Sequence, residues 1–366
     1  MPPDLDLTSV LSASLEGLDC SGILCAVSHG SAIWTYSAGK ISPHDHQKSF
    51  YIYSITKTFT AAAVLLLFEN HGLSLDTNFS SFFRETPIPA SVTVRQLLNH
   101  TGGISDYSSS AEYQRLIRTR PHEPWPYDQL MKIGLEGTPL FKAGSGWRYS
   151  NPGYALLKEL IERLSGMDFY AYLKRFIFDP LKLTDTKPFL EPDHAGELLE
   201  AQEPSIEGDF RKRYSPGWIA PGCLISTVTD IVLFYRALFS GNLLNAVSLD
   251  QMKETVDVPY PLPEPLKASY GLGVMHTQND PLGNAYGHGG GGPGYTSLAT
   301  CYPRLYSAPF SLCIVINRSL PTTPFDLADK ITRSFVDFQR NVQDNSPQHQ
   351  IESIRLGKLI EPDLQN

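Results

Sequence analysis

Ser54-Ile55-Thr56-Lys57 stands at the head of an apolar run, Ala61-Ala62-Ala63-Val64-Leu65-Leu66-Leu67-Phe68, which His71-Gly72 brings to a stop. The run reads as a helix and is too short to span a bilayer. Positions three apart share a helix face, so Ser54 and Lys57 hold their side chains within mutual reach. A helix start also supplies unpaired backbone N–H groups and partial positive charge. A serine held there, beside a lysine that burial keeps neutral, is a candidate activated nucleophile. The spacing alone is weak evidence, because a chain this long contains roughly one or two such pairs by accident. A second pair, Ser37-Ala38-Gly39-Lys40, follows the strand-like Ala32-Ile33-Trp34-Thr35-Tyr36 and carries an internal glycine. No helix follows to orient its two groups, and it reads as a turn.

Partners for Ser54 are found elsewhere. Tyr149-Ser150-Asn151 is the only Y-x-N in the sequence and lies between a glycine-rich turn, Ala143-Gly144-Ser145-Gly146, and a predicted helix over about 154–164. A tyrosine hydroxyl titrates near 10 in water, too high for a base at neutral pH, and a neighbouring ammonium lowers that value. Asparagine offers a donor and an acceptor, so Asn151 can hold both a lysine and a substrate amide. The plainer alternative is a buried tyrosine beside a turn asparagine. A third element is Tyr286-Gly287-His288-Gly289-Gly290-Gly291-Gly292-Pro293-Gly294-Tyr295, flanked by two segments that read as strands, about 270–275 and 296–301. Glycines beside a strand let a substrate backbone approach and let N–H groups converge on an oxyanion. A flexible hairpin turn is the alternative. A phosphate cradle is disfavoured, since no G-x-x-x-x-G-K-[ST] occurs and the glycines precede a strand.

In this order and at these separations, the three elements resemble the class C β-lactamase-like serine hydrolases. That family groups β-lactamases, penicillin-binding proteins, D-aminopeptidases, D-amino-acid amidases, carboxylesterases and some acyltransferases. The resemblance extends over about residues 22–338. Gly22-Ile23-Leu24-Cys25-Ala26-Val27 and residues 31–36 are similar to the opening hairpin. Ser54-Ile55-Thr56-Lys57 matches the first motif and Tyr149-Ser150-Asn151 the second. Residues 94–104 look like the segment after the nucleophile helix. Residues 222–230 look like a later helix start, with Thr227 and Asp230 as a capping box. The fold implied is α/β (α+β) and β-lactamase/transpeptidase-like, an antiparallel sheet flanked by helices plus a mainly helical lobe.

His288-Gly289-Gly290 stands where β-lactamases usually carry Lys-Thr-Gly. A neutral histidine and a residue without a hydroxyl weaken the family's carboxylate anchor. β-Lactams and D-Ala-D-Ala peptides are thereby disfavoured against esters, amides or amino-acid derivatives, although a strand histidine bonded to a carbonyl is the plain alternative for His288. The resemblance implies a two-step acyl transfer: Ser54 attacks, Lys57 and Tyr149 take its proton, and Tyr149 returns one to the leaving group. Backbone N–H groups of Ser54 and Gly291, with Gly290 beside them, stabilise the oxyanion, and Asn151 and His288 support substrate binding. No metal or cofactor is required. The function expected is a serine hydrolase cleaving an ester or amide bond of a small molecule or amino-acid derivative through a Ser54 acyl-enzyme. The alternatives are an acyltransferase, a β-lactamase or D,D-peptidase, and a non-catalytic member of the fold.

The formal charge of −8 and pI of about 5.7 argue against nucleic acid and anionic membrane surfaces as partners. Five cysteines, odd in number and without a C-x-x-C pair, read as reduced thiols. With no signal peptide visible at Met1-Pro2-Pro3-Asp4, a cytoplasmic location is expected. Residues 1–340 read as one catalytic domain, with an α/β lobe over about 1–59 and 266–340 and a helical lobe over about 60–265, followed by a polar tail, 341–366. The oligomeric state is unspecified. Asp257-Val258-Pro259-Tyr260-Pro261-Leu262-Pro263-Glu264-Pro265 reads as the link back to the sheet. The loop around Trp125 is a candidate overhang of the cleft or a packed surface loop. His44-Asp45-His46 has the look of a metal pair but lacks a third ligand and reads as a solvated loop. No G-x-S-x-G elbow occurs, which excludes an α/β-hydrolase.

Overall fold

Strands from both ends of the chain come together in one antiparallel sheet of eight. The computed structural model describes residues 5–344 apart from 84, 86, 87, 189–191, 260–266, 280 and 307. After helix α1 (Thr8–Glu16), strands β1 (Gly22–His29) and β2 (Ala32–Gly39) form a hairpin. Short strands β3 (Phe50–Tyr51), β4 (Lys187–Pro188) and β5 (Leu224–Ser226) make a second sheet in the order β3-β5-β4. Strands β6 (Val256–Asp257), β7 (Lys267–Tyr270), β8 (Met275–Asn279), β9 (Gly283–Gly292), β10 (Tyr295–Tyr302) and β11 (Phe310–Ile316) complete the large sheet, ordered β2-β1-β11-β10-β9-β8-β7-β6.

The alternation of side chains along β1 and β11 divides the core in two. Ile23, Cys25, Val27, Leu312, Ile314 and Ile316 pack with Leu7 just before α1, with Leu11 of α1, and with Ile331 and Phe335 of the closing helix, Phe325–Asp344. Leu24, Ala26, Cys313 and Val315 point the other way, into the larger core. Both faces are covered, which is why these strands read as continuous apolar runs rather than alternating ones. On the larger-core side lies α2 (Thr56–His71), buried on nearly every side from Thr56 to Phe68. A helix without a polar face has no solvent side to offer and belongs in a core. Its Phe59 stacks on Phe234 at 3.7 Å between ring centres. Gly72 closes it with φ 62°, the left-handed geometry that glycine reaches without a Cβ penalty. Among the described residues no helix is long and apolar enough to cross a membrane.

Several expectations need correcting. The strand expected over 270–275 is instead the end of β7, a turn and the start of β8: the Gly271 N–H donates to the Val274 carbonyl at 2.8 Å, and Gly273 takes φ 71°. The glycines after His288 lie within β9 itself, and the turn falls at Pro293-Gly294. Three residues of the second S-x-x-K, Ser37, Ala38 and Gly39, finish strand β2 rather than forming a turn. Thr227 caps its helix by accepting from the Asp230 N–H at 3.1 Å, but the Asp230 carboxylate accepts from Asp185 N–H and Thr186 Oγ1 at 2.9 and 2.8 Å, so the capping box is one-sided. Much of the proline-rich link and nearly all of the tail lie outside the described residues.

Candidate functional site

Ser54 sits on a tight turn, Tyr53–Ile55, that leads straight into α2. Tyr53 has φ 45°, a conformation that costs a non-glycine residue about 1–3 kcal/mol and survives only where the surroundings enforce it. Here Ile52 is tied to β5 through its N–H to the Leu224 carbonyl at 3.0 Å, and the Tyr53 hydroxyl donates to the Pro293 carbonyl at 2.5 Å. The Ser54 side chain is thus lifted to a partly exposed position while Lys57, one turn on, is 3% exposed.

Two functional groups converge on this serine, and a third holds one of them. The Tyr149 hydroxyl donates to Ser54 Oγ at 2.7 Å, and Lys57 Nζ lies 3.3 Å from the same oxygen. Lys57 Nζ also donates to Asn151 Oδ1 at 2.7 Å and sits over the rings of Tyr149 and Tyr154 at 4.8 and 5.5 Å from their centres. Asn151 opens the helix Asn151–Ser165, whose N-cap Ser150 accepts from the Gly153 N–H. Burial pushes the Lys57 ammonium down to about 7, against the opposing pull of Asp106 and Cys223. A lysine in that range has an amine free to accept a proton near neutral pH.

Strand β9 forms the facing wall, and its glycines are there for packing. A Cβ on Gly290 would lie 2.4 Å from the Ile52 carbonyl oxygen and 2.5 Å from Ser297 Oγ, and one on Gly292 would meet the Tyr53 ring at 2.5 Å. A Cβ on Gly291 would meet nothing within 4 Å, and Gly291 is exposed beside the serine turn. Gly290→Ala should therefore push β9 off the nucleophile turn. The expected cost is about 1–3 kcal/mol, read as a lower melting temperature together with lost activity, whereas Gly291→Ala should leave the melting temperature unchanged.

His288 lies buried on the same strand. Its Nδ1 donates to the Gly289 carbonyl at 2.7 Å, which leaves Nε2 to accept from the Tyr270 hydroxyl at 3.0 Å. Burial first, and the Lys57 charge second, pull its pKa down to about 3, so it is a neutral imidazole. His100, with φ 64°, is a second buried neutral histidine; its Nδ1 accepts from the Ser150 N–H at 3.2 Å and its ring lies 4.4 Å from that of Tyr149.

Sequence reasoning did not single out Asp106 or Tyr270. Asp106 caps the turn Tyr107–Ser109 and accepts from Asn151 Nδ2 at 3.2 Å. The only local signal was the capping pattern Asp106-Tyr107-Ser108, which is common in loops. Trp125 packs edge-on against Tyr113 and at a tilt against Trp218, with ring centres 6.1 and 5.9 Å apart, which makes its loop a packed one. The Asp45 carboxylate accepts from Ser42, and His46 Nε2 bonds Ser37 Oγ of β2, so two of the three side chains are engaged locally. Among the described residues no group of three or more His, Cys, Asp or Glu side chains is placed to hold a metal.

Comparison with known proteins gives the family and the fold. Residues 7–335 match the family model described as Beta-lactamase. Penicillin-binding protein 4* of Bacillus subtilis (strain 168) is 28% identical over 305 residues, 77% of this chain and 65% of that protein, so the chain spans a little under two thirds of that relative's length. The structure of a D-stereospecific amidohydrolase from Streptomyces sp. superposes with a TM-score of 0.74 at 28% identity, covering 86% of this chain and 94% of that one. The D-amino acid amidase of Ochrobactrum anthropi SV3, at 22% identity, shares the fold with a TM-score of 0.76 over 90% of this chain and 97% of its own. With the match running over nearly the whole length, the chain belongs to the β-lactamase family.

Proposed function

We propose that this protein is a serine hydrolase that cleaves an amide or ester bond of a small molecule or amino-acid derivative through an acyl-enzyme on Ser54. The observation that carries this reading is the pair of contacts on Ser54 Oγ, from the Tyr149 hydroxyl at 2.7 Å and Lys57 Nζ at 3.3 Å. In the first step the neutral Lys57 amine takes the Ser54 proton as Oγ bonds to the substrate carbonyl carbon. Tyr149 protonates the departing nitrogen or oxygen and is reprotonated by Lys57, so the proton lost by serine leaves with the first product. Water then enters by the reverse path and frees the acid. The N–H groups of Ser54 and Gly291 are the proposed oxyanion donors; losing one such donor typically costs about 3–4 kcal/mol of transition-state stabilisation.

The neutral His288 bears on substrate class. An imidazole that does not carry charge at neutral pH gives a substrate carboxylate no ion pair. This favours neutral or amino-bearing amides and esters over β-lactams, in keeping with the names of the amidohydrolase and amidase relatives. Intact-mass spectrometry after exposure to p-nitrophenyl esters, D- and L-amino-acid amides and a cephalosporin should show an acyl adduct that esters or amides form and water removes. A cephalosporin adduct formed fastest of the panel would overturn the substrate assignment, and no adduct from any of them would overturn the hydrolase.

A further inference from the structure

We propose that Asp106 is a positioning residue for the general base: it fixes which way the Asn151 amide faces and thereby holds Lys57 in place beside Ser54. The inference rests on the reading of Lys57 as proton acceptor and goes one residue beyond it.

The geometry is a chain of three groups. The Asp106 carboxylate accepts from Asn151 Nδ2 at 3.2 Å through one oxygen and at 3.4 Å through the other, and from the Asn151 backbone N–H at 3.4 Å. A carboxylate only accepts, so the amide must meet it with its nitrogen. That choice turns Oδ1 toward Lys57 Nζ, where it accepts at 2.7 Å. An asparagine facing a partner that both donates and accepts would have no such preference. Asp106 is itself held by its own turn, accepting from Ser108 N–H at 3.4 Å and Ser108 Oγ at 2.5 Å.

The charge acts in the same direction as the hydrogen bonds. The ionisable groups facing Lys57 are Tyr149 and Tyr154 from the entry of their helix, Cys223 ahead of β5, His100 after the Val94–Leu98 helix, His288 on β9, and Asp106. Burial pushes the Cys223 thiol up to about 12 and the Tyr154 hydroxyl higher still, while both histidines are held neutral. Asp106 is the carboxylate of the set. It opposes the desolvation that drives Lys57 toward neutrality and keeps the lysine titrating where it can both take and give a proton.

The test is a titration of Lys57 by NMR of 13Cε-labelled lysine, assigned with Lys57→Met, in the wild type, Asp106→Asn and Asp106→Glu. It is run beside pH profiles of kcat/KM on an activated ester. In Asp106→Asn the Lys57 titration should move down by about one pH unit, the acidic limb of kcat/KM should follow it, and the plateau should fall about tenfold. Asp106→Glu, which keeps the charge and the acceptor, should leave the titration near the wild-type value. If Asp106→Asn loses activity while the Lys57 titration stays put, Asp106 is only a structural cap and the proposal fails. If the titration moves and the limb does not, Asp106 positions Lys57 as stated but Lys57 is not the proton acceptor. Should Asp106→Asn not fold, Asp106→Ser carries the same prediction.

Discussion

Ser54→Ala should lower turnover by roughly 10⁶-fold and abolish the acyl adduct, with little effect on stability. The size of the loss follows from what the serine does in this site: two proton-handling groups, at 2.7 and 3.3 Å, are aimed at one oxygen and have nothing to act on once it is gone. Groups that work as a unit fail as a unit, so the triple variant with Lys57→Met and Tyr149→Phe should be scarcely slower than Ser54→Ala. The substitution removes one small, partly exposed hydroxyl and leaves the strained turn and its ties to β5 and Pro293 intact, which is why the fold should tolerate it. The measurement is intact mass with an activated ester, run on both forms, together with steady-state turnover. Retention of a stoichiometric adduct in Ser54→Ala would place the nucleophile elsewhere and defeat the mechanism.

Local rules made part of this protein legible from its residues. Ser54 and Lys57 announce themselves because the turn that carries the serine runs straight into the helix that carries the lysine, and a spacing of three residues is a short-range property. The burial of α2 on all sides follows from its composition, and the buried strands β1, β10 and β11 follow from theirs. What resisted reading depends on packing between distant segments. Glycines at 289–292 signal a turn by propensity, yet they lie in strand β9, where the backbone of Ile52 and the ring of Tyr53 leave no room for a side chain on Gly290 or Gly292. Asp106 carries no motif, and its importance arises only when the turn at 107–109 is laid against the start of the Asn151 helix. Asp230 looked like half of a capping box and was drawn off by Thr186, some forty residues away in sequence. Tertiary contacts overrode local preference in each of these cases.

Lys57→Met should cost about 10²–10⁴-fold in kcat/KM, the usual worth of a positioned base, while making the protein more stable at neutral pH. The two effects have one cause. Burial lowers the lysine from its ordinary value of 10.5 to about 7. The unfolded chain therefore binds more protons than the folded one between those values. Stability must rise with pH across that window, and the burial penalty is fully present below about pH 7. At pH 7 that penalty is on the order of 4 kcal/mol. Methionine removes it but leaves Asn151 Oδ1 without its donor, a loss of about 1–3 kcal/mol. The net gain should be about 1–3 kcal/mol, and the rise in stability from pH 7 to 10.5 should flatten. In the wild type, kcat/KM should climb through an acidic limb near pH 7 as the amine loses its proton. Tyr149→Phe should keep that limb and the wild-type slope of stability with pH, and lose rate most on substrates with poor leaving groups, which need a proton as they depart. A Lys57→Met variant that is less stable at pH 7 than the wild type would mean that the ammonium is not buried at a cost, and the base assigned to this site would have to be sought among other groups.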